Sequence, residues 1–98
     1  METIRTTPDL LRVGDRVLVP AGTQLHIGYG SWDDDTRRYE HPVLEADEVM
    51  TVRYATSCSH STMNGGGYDY TLTRDGDPEG SVHMRSTIRN PHVLKVVA

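Results

Sequence analysis

One short segment of the chain has three carboxylates at alternate positions, followed directly by a glycine. The segment contains Asp75, Asp77, Glu79 and Gly80. This spacing matches the first half of a calcium-binding loop, in which oxygen ligands wrap around one ion. Ser86 stands where such a loop has its bidentate glutamate, and the flanking residues have the alternating pattern of strands. The segment therefore predicts an acidic hairpin turn, and its three carboxylates are candidates for a metal site that the sequence leaves incomplete.

A thiol and an imidazole lie two residues apart, at Cys58 and His60. Both can reach one ion, but a structural zinc site needs four ligands, so this pair is a candidate that only folding can complete. The remaining histidines are scattered singly along the chain, at His26, His41, His83 and His92. Catalysis by the pair would also need a group that orients the base and an oxyanion site. The sequence therefore predicts no metal, no cofactor and no catalytic residue.

Aromatic and arginine side chains are concentrated in the segment between residues 29 and 39. These residue types are enriched at the energetic hot spots of protein interfaces. The predicted partner-binding residues are Tyr29, Trp32, Arg37, Arg38 and Tyr39. The alternative is that Trp32 covers a thin core while the arginines remain solvated. The cluster predicts a protein partner, whose identity the sequence does not give.

The acidic balance of the chain makes nucleic acid an unlikely partner. The formal charge is −4, whereas a protein held by phosphate contacts normally presents a basic surface. The alternative is a basic stripe in which tyrosines stack on bases and arginines meet phosphates. Its members would be Tyr54, Tyr68, Tyr70, Arg53, Arg74, Arg85 and Arg89. The acidic residues between 33 and 48 allow a further alternative, mimicry of a nucleic acid, although such a run is usually a solvated face.

The length and composition predict a single small β domain. A chain of 98 residues has a thin core, and the absence of phenylalanine leaves Val, Leu, Ile, Met, Tyr and one Trp to fill it. The N-terminus lacks the apolar stretch of a signal peptide, and no apolar run is long enough to span a membrane. The single cysteine allows no internal disulfide. We therefore expect a cytoplasmic protein without membrane contact.

Alternating apolar and polar residues predict about five to six short strands. A capping residue before Pro8 predicts a helical turn over 8–12. The strands at 15–20 and 24–29 are expected to form one hairpin, and those at 68–73 and 82–85 a second. The two remaining strands are predicted at 48–56 and 92–97. Long loops are expected at about 30–47 and 57–67, because the first breaks the alternation and the second is rich in Ser, Asn and Gly.

The segment from Val13 to Val19 places Gly14-Asp15 directly before an alternating strand. It resembles the opening hairpin of KOW-type and other SH3-like small barrels. Together with the strand pattern and the helical turn, this predicts an SH3-like barrel of about five to six antiparallel strands with a short N-terminal helical turn. The resemblance itself implies a binding role in place of catalysis. The chain lacks the basic loops of KOW domains. It also resembles the short orphan proteins of bacteriophages of high-G+C hosts.

These observations predict a non-enzymatic binding module or small inhibitor that engages a protein partner through its aromatic and arginine loop. One alternative is a nucleic-acid or nucleotide-binding small barrel. Another is a structural or assembly subunit that acts by self-association, which makes a homo-oligomer one of the expected states. The absence of nucleophile-elbow, zinc-protease and phosphate-loop motifs gives no argument for an enzyme.

Overall fold

The structure is a computed structural model that describes residues 1–31, 35–59, 68–86, 89 and 92–97, with only the backbone described for 55–59. Its strands are β1 (Thr3–Thr6), β2 (Arg16–Val19), β3 (Ile27–Tyr29), β4 (Arg38–Glu40), β5 (Glu48–Ser59), β6 (Tyr68–Arg74), β7 (Asp77–Arg85) and β8 (Val93–Val96). The predicted helical turn is confirmed as a 3₁₀ helix at Pro8–Leu10, where proline supplies the backbone angle that starts a helix. In the described part of the chain, no helix is long and apolar enough to cross a membrane.

All eight strands belong to one antiparallel sheet with the order β1-β8-β2-β5-β6-β7-β3-β4. The mostly β class is therefore confirmed, but the predicted closed barrel of five to six strands is wrong. Closure requires the first and last strands of the order to pair, whereas β1 pairs with β8 and β4 pairs with β3. The sheet is open, and β1 and β4 are its two edges.

The predicted hairpin between 15–20 and 24–29 is also wrong. β2 pairs with β5 and β8, whereas β3 pairs with β4 and β7. The segment between β2 and β3 instead forms backbone hydrogen bonds with Leu44. The Gly22 amide donates to the Leu44 carbonyl, and the Leu44 amide donates to the Thr23 carbonyl. These bonds align the connection with the segment that follows β4, so β3 continues into a ladder with β4.

The second predicted hairpin, between β6 and β7, is confirmed, with its turn at Asp75 and Gly76. Two strands also extend into the ranges predicted as loops, since β4 lies within 30–47 and β5 continues to Ser59. The β5–β6 ladder changes register between Val52 and Tyr54. A bulge of this kind bends the strand and redirects the side chains that follow.

The core lies on one face of the sheet, which we call the inner face. Val52, Leu72, Val82 and Ile27 are successive register partners across β5, β6, β7 and β3, and each is at most 1% exposed. The 3₁₀ helix packs against β5 and β6. Full burial of such a side chain contributes about 1.5–3 kcal/mol. The alternate residues of these strands, including Thr71, form the outer face.

Candidate functional site

The candidate site is built on the ladder between β3 and the edge strand β4. The ladder pairs Tyr29 with Arg38 and Gly28 with Tyr39. Register partners lie on the same face of a sheet and successive residues alternate between faces. Tyr29 and Arg38 therefore share the inner side of the ladder, while Tyr39 lies on the outer face. The predicted cluster is thus divided between two faces.

Tyr29 is held from two directions on the inner side. Its hydroxyl donates a hydrogen bond to the Asp77 carboxylate at the start of β7. That bond, burial and the negative charges of Asp77 and Glu40 raise the pKa of Tyr29 to about 12. The ring also packs on Gly80, where an added Cβ would lie 2.9 Å from Tyr29 Cε1 and 2.8 Å from Ile27 Cγ2. A glycine at this position is therefore required for the ring to lie flat against β7.

Arg38 lies directly over this fixed ring. Its guanidinium carbon is 4.3 Å from the centre of the Tyr29 ring, which is within the range of a cation–π contact. The ion pair of Arg38 with Glu40 is long, at 4.0 Å, and both side chains are exposed. Such a pair contributes little to stability. The stacking on Tyr29 is therefore the contact that orients the Arg38 guanidinium while it remains accessible to a partner.

Tyr39 presents an accessible aromatic surface on the outer face and is 55% exposed. A Cβ added to Gly28 would lie 3.5 Å from Tyr39 Cε1 and 3.2 Å from His83 Nε2. Both rings therefore lie against the bare backbone of Gly28, one from each neighbouring strand.

Arg37 is half-buried immediately before β4, and Trp32 lies outside the described residues.

The acidic turn does not gather its three carboxylates. Asp75 forms two hydrogen bonds with the Arg16 guanidinium, at 2.9 and 3.3 Å, and this pairing lowers the pKa of Asp75. Asp77 accepts the Tyr29 hydroxyl, whereas Glu79 is exposed. Within the described residues, no three His, Cys, Asp or Glu side chains are grouped to hold a metal ion. The backbone of Cys58 belongs to β5, and its partner His60 lies outside the described residues.

Several residues of the basic-stripe alternative have other partners. Tyr70 is 6% exposed and belongs to the core, so its ring offers no stacking surface. Arg74 makes a two-pronged ion pair with Glu48 at 2.8 Å, and Arg85 bonds Asp69 at 2.9 Å. Each arginine would have to leave a carboxylate to meet a phosphate.

Other residues of that alternative remain accessible. Tyr54 is 62% exposed, and Arg89 is also exposed. Tyr68 is half-buried, and the Arg53 guanidinium donates to the Ser81 hydroxyl at 3.0 Å. The Arg53 guanidinium carbon also lies 5.8 Å from the centre of the Tyr54 ring.

Local sequence patterns did not predict the packing of Tyr29 on Gly80 or its hydrogen bond to Asp77. Both depend on the contact between β3 and β7, which join segments about 50 residues apart in the chain. The sequence also left the histidines separate, although the sheet brings His26 and His41 into direct contact. No known protein family, curated protein or solved structure matches this chain.

Proposed function

We propose that this protein is a non-enzymatic binding module that engages an extended segment of a protein partner at β4. The observation that supports the proposal is the position of β4 at the end of the strand order, with all three of its side chains exposed. An edge strand has one row of backbone groups without a ladder partner. A partner strand can pair with that row, and neighbouring side chains then give specificity.

The register supports Tyr39 as the residue at which a partner strand would pair. The Leu25 amide donates to Pro42, and the Leu44 amide donates to Thr23, so Gln24 and Val43 form a pair that is not directly hydrogen-bonded. Such pairs alternate with hydrogen-bonded pairs along an antiparallel ladder. The same register continues into β3 and β4, where Gly28 and Tyr39 form another pair that is not directly hydrogen-bonded. The amide and carbonyl of Tyr39 therefore point away from β3, toward the open edge.

The side chains on either side of β4 suit recognition of a protein. Arg38 is held over Tyr29, which lowers the conformational entropy lost when a partner's carboxylate or carbonyl binds it. Tyr39 offers a large aromatic surface with few rotatable bonds on the opposite face. A partner strand added to β4 would therefore have an arginine contact on one face and a tyrosine contact on the other.

Affinity capture from the organism that encodes the protein tests this proposal with three variants. Arg38→Ala and Tyr39→Ala remove the two side chains, and Tyr39→Pro removes the outward amide at a position where an edge strand tolerates proline. We expect each to reduce recovery of the same partner, with the largest loss for Tyr39→Pro. Tyr54→Ala is the matched control, because Tyr54 is an exposed tyrosine of β5.

The proposal is wrong if all three variants retain every captured protein at the wild-type level while their circular dichroism is unchanged. Sedimentation distinguishes a foreign partner from a second copy of the chain. A concentration-dependent dimer that Tyr39→Pro abolishes would support self-association at the same edge, which is the assembly alternative.

A further inference from the structure

His26 and His41 lie directly opposite each other on the outer face, just before β3 and just after β4. Ile27 pairs with Glu40, and Gln24 forms a bridge with Val43 in the same register. That register places His26 opposite His41. They fall at a position of the ladder that is not hydrogen-bonded, where opposite side chains approach most closely. Their rings meet at 71° with centroids 4.9 Å apart, and the two Nδ1 atoms are 3.0 Å apart.

Two imidazole nitrogens at this distance can share one proton or coordinate one metal ion. In the first case one Nδ1 donates and the other accepts. In the second case both Nδ1 atoms offer lone pairs to the ion. With metal–nitrogen bonds of about 2.0–2.1 Å, the observed separation gives an N–metal–N angle of about 95°. Both side chains are exposed, so an ion reaches them without the cost of opening the core.

We propose that His26 and His41 form a binding site for a divalent first-row transition metal ion, with both Nδ1 atoms as ligands. An angle near 90° is that of neighbouring ligands in square-planar or octahedral coordination, which Cu²⁺ and Ni²⁺ adopt with nitrogen ligands. Zn²⁺ is usually tetrahedral in proteins, and that geometry needs the nitrogens farther apart. The site therefore selects Cu²⁺ and Ni²⁺ above Zn²⁺, with water in the remaining positions.

The outer face beside His26 holds a cavity, which His41 does not line. His83 occupies the neighbouring position on β7, and its amide donates to the His26 carbonyl at 2.8 Å. His26 and His83 line a cavity of about 540 Å³ on the outer face, together with Asp69 and Arg85. Since Asp69 is bonded to Arg85, its negative charge is largely neutralised within that pair. The two imidazoles are thus the ligands that fix the ion.

Ion binding also depends on proton competition, because ligation requires unprotonated imidazoles. Binding the ion requires no change in the fold, because both histidines are exposed and lie outside the core.

Calorimetric titration of the tag-free full chain with Ni²⁺ tests the site, using Cys58→Ser as the background so that the thiol does not compete. We expect one Ni²⁺ per chain, and an affinity reduced about tenfold or more by His26→Ala or by His41→Ala. The matched control is His92→Ala, because His92 is an exposed histidine beside β8, at the opposite end of the strand order. Its Ni²⁺ affinity should equal that of the background protein.

NMR supplies a second readout that does not depend on the heat of binding. Cu²⁺ has an unpaired electron in either geometry and should broaden the amide signals of residues beside His26 and His41 before those of β8. Absence of binding up to millimolar Ni²⁺ would overturn the proposal. So would an affinity that both alanine variants leave unchanged, or broadening centred on another part of the chain. Circular dichroism of the variants verifies that the sheet is intact.

Discussion

The Tyr29 hydroxyl donates a hydrogen bond to the carboxylate of Asp77, the first residue of β7. The bond connects β3 to the strand end that follows the acidic turn. The two residues are 48 positions apart in the sequence. Their contact fixes the ring on which Arg38 stacks, at 4.3 Å from the ring centre. The acidic turn therefore supports the β3–β4 ladder through this bond.

Asp77→Asn should lower the pKa of Tyr29 from about 12 toward the ordinary tyrosine value of about 10. The hydrogen bond to the carboxylate is the main cause of the raised pKa, and an amide carries no charge to disfavour the tyrosinate. A pH titration of the Tyr29 ring signals by NMR measures the change. Glu79→Gln is the control, because Glu79 is an exposed carboxylate of the same strand. An unchanged Tyr29 titration in Asp77→Asn would contradict the assignment of this bond.

Gly80→Ala should destabilise the protein by about 1–3 kcal/mol, as overpacking of a close contact does. The added Cβ would lie 2.8 Å from Ile27 Cγ2 and 2.9 Å from Tyr29 Cε1, so these two side chains or β3 itself must shift. Urea unfolding measures the loss. Gly76→Ala is the matched control, since nothing lies within 4 Å of a Cβ at that position. Equal stabilities of the two variants would show that the close approach at Gly80 is absent.

Tyr70→Phe should make the protein less sensitive to alkali. Burial raises the pKa of Tyr70 to about 12, whereas an unfolded tyrosine ionises near about 10. The unfolded chain therefore binds fewer protons than the native chain in this interval, and the free energy of unfolding falls as pH rises from about 10 to 12. The loss due to Tyr70 is about 2–3 kcal/mol.

Urea unfolding at a series of pH values tests the alkaline prediction. The difference between wild type and Tyr70→Phe should change across the interval from about pH 10 to 12 and remain constant below it. Tyr54→Phe, at a 62% exposed tyrosine, should keep the wild-type slope. Parallel curves for wild type and Tyr70→Phe throughout the interval would refute the prediction.

Glu48→Gln should lower the stability by about 1 kcal/mol at neutral pH, because the two-pronged pair with Arg74 is half-buried and both bonds are 2.8 Å long. The hydrogen bonds from Arg74 lower the pKa of Glu48 below its ordinary value of 4.5. The stabilisation is therefore complete above that value and is lost as pH falls through the lower native pKa.

Unfolding at neutral and acidic pH measures the contribution of Glu48. The difference between wild type and Glu48→Gln should disappear in acid. Asp69→Asn is the comparison, because the Asp69–Arg85 pair is more exposed, so the Asn variant should lose less stability at neutral pH. A larger loss for Asp69→Asn would reverse the expected ranking of the two pairs.

The candidate site was predictable in its residue types but not in its arrangement. Tyr29, Arg38 and Tyr39 are close in sequence, and the composition of their segment was enough to propose it as a binding surface. The stacking of Arg38 on Tyr29 and the separation of Tyr39 onto the other face depend on the β3–β4 register. A shift of one residue would reverse both outcomes, because successive side chains of a strand point to opposite faces.

Local sequence patterns were enough to predict the mostly β class, the helical turn that begins at Pro8 and the β6–β7 hairpin, because each follows from local alternation or from short turn chemistry. The open sheet, the burial of Tyr70 and the contact between His26 and His41 are visible only in the folded chain. Those features depend on which strands pair and in which register. Pairing is fixed by bonds between distant segments, such as Gly22 with Leu44, which periodicity along the chain does not encode.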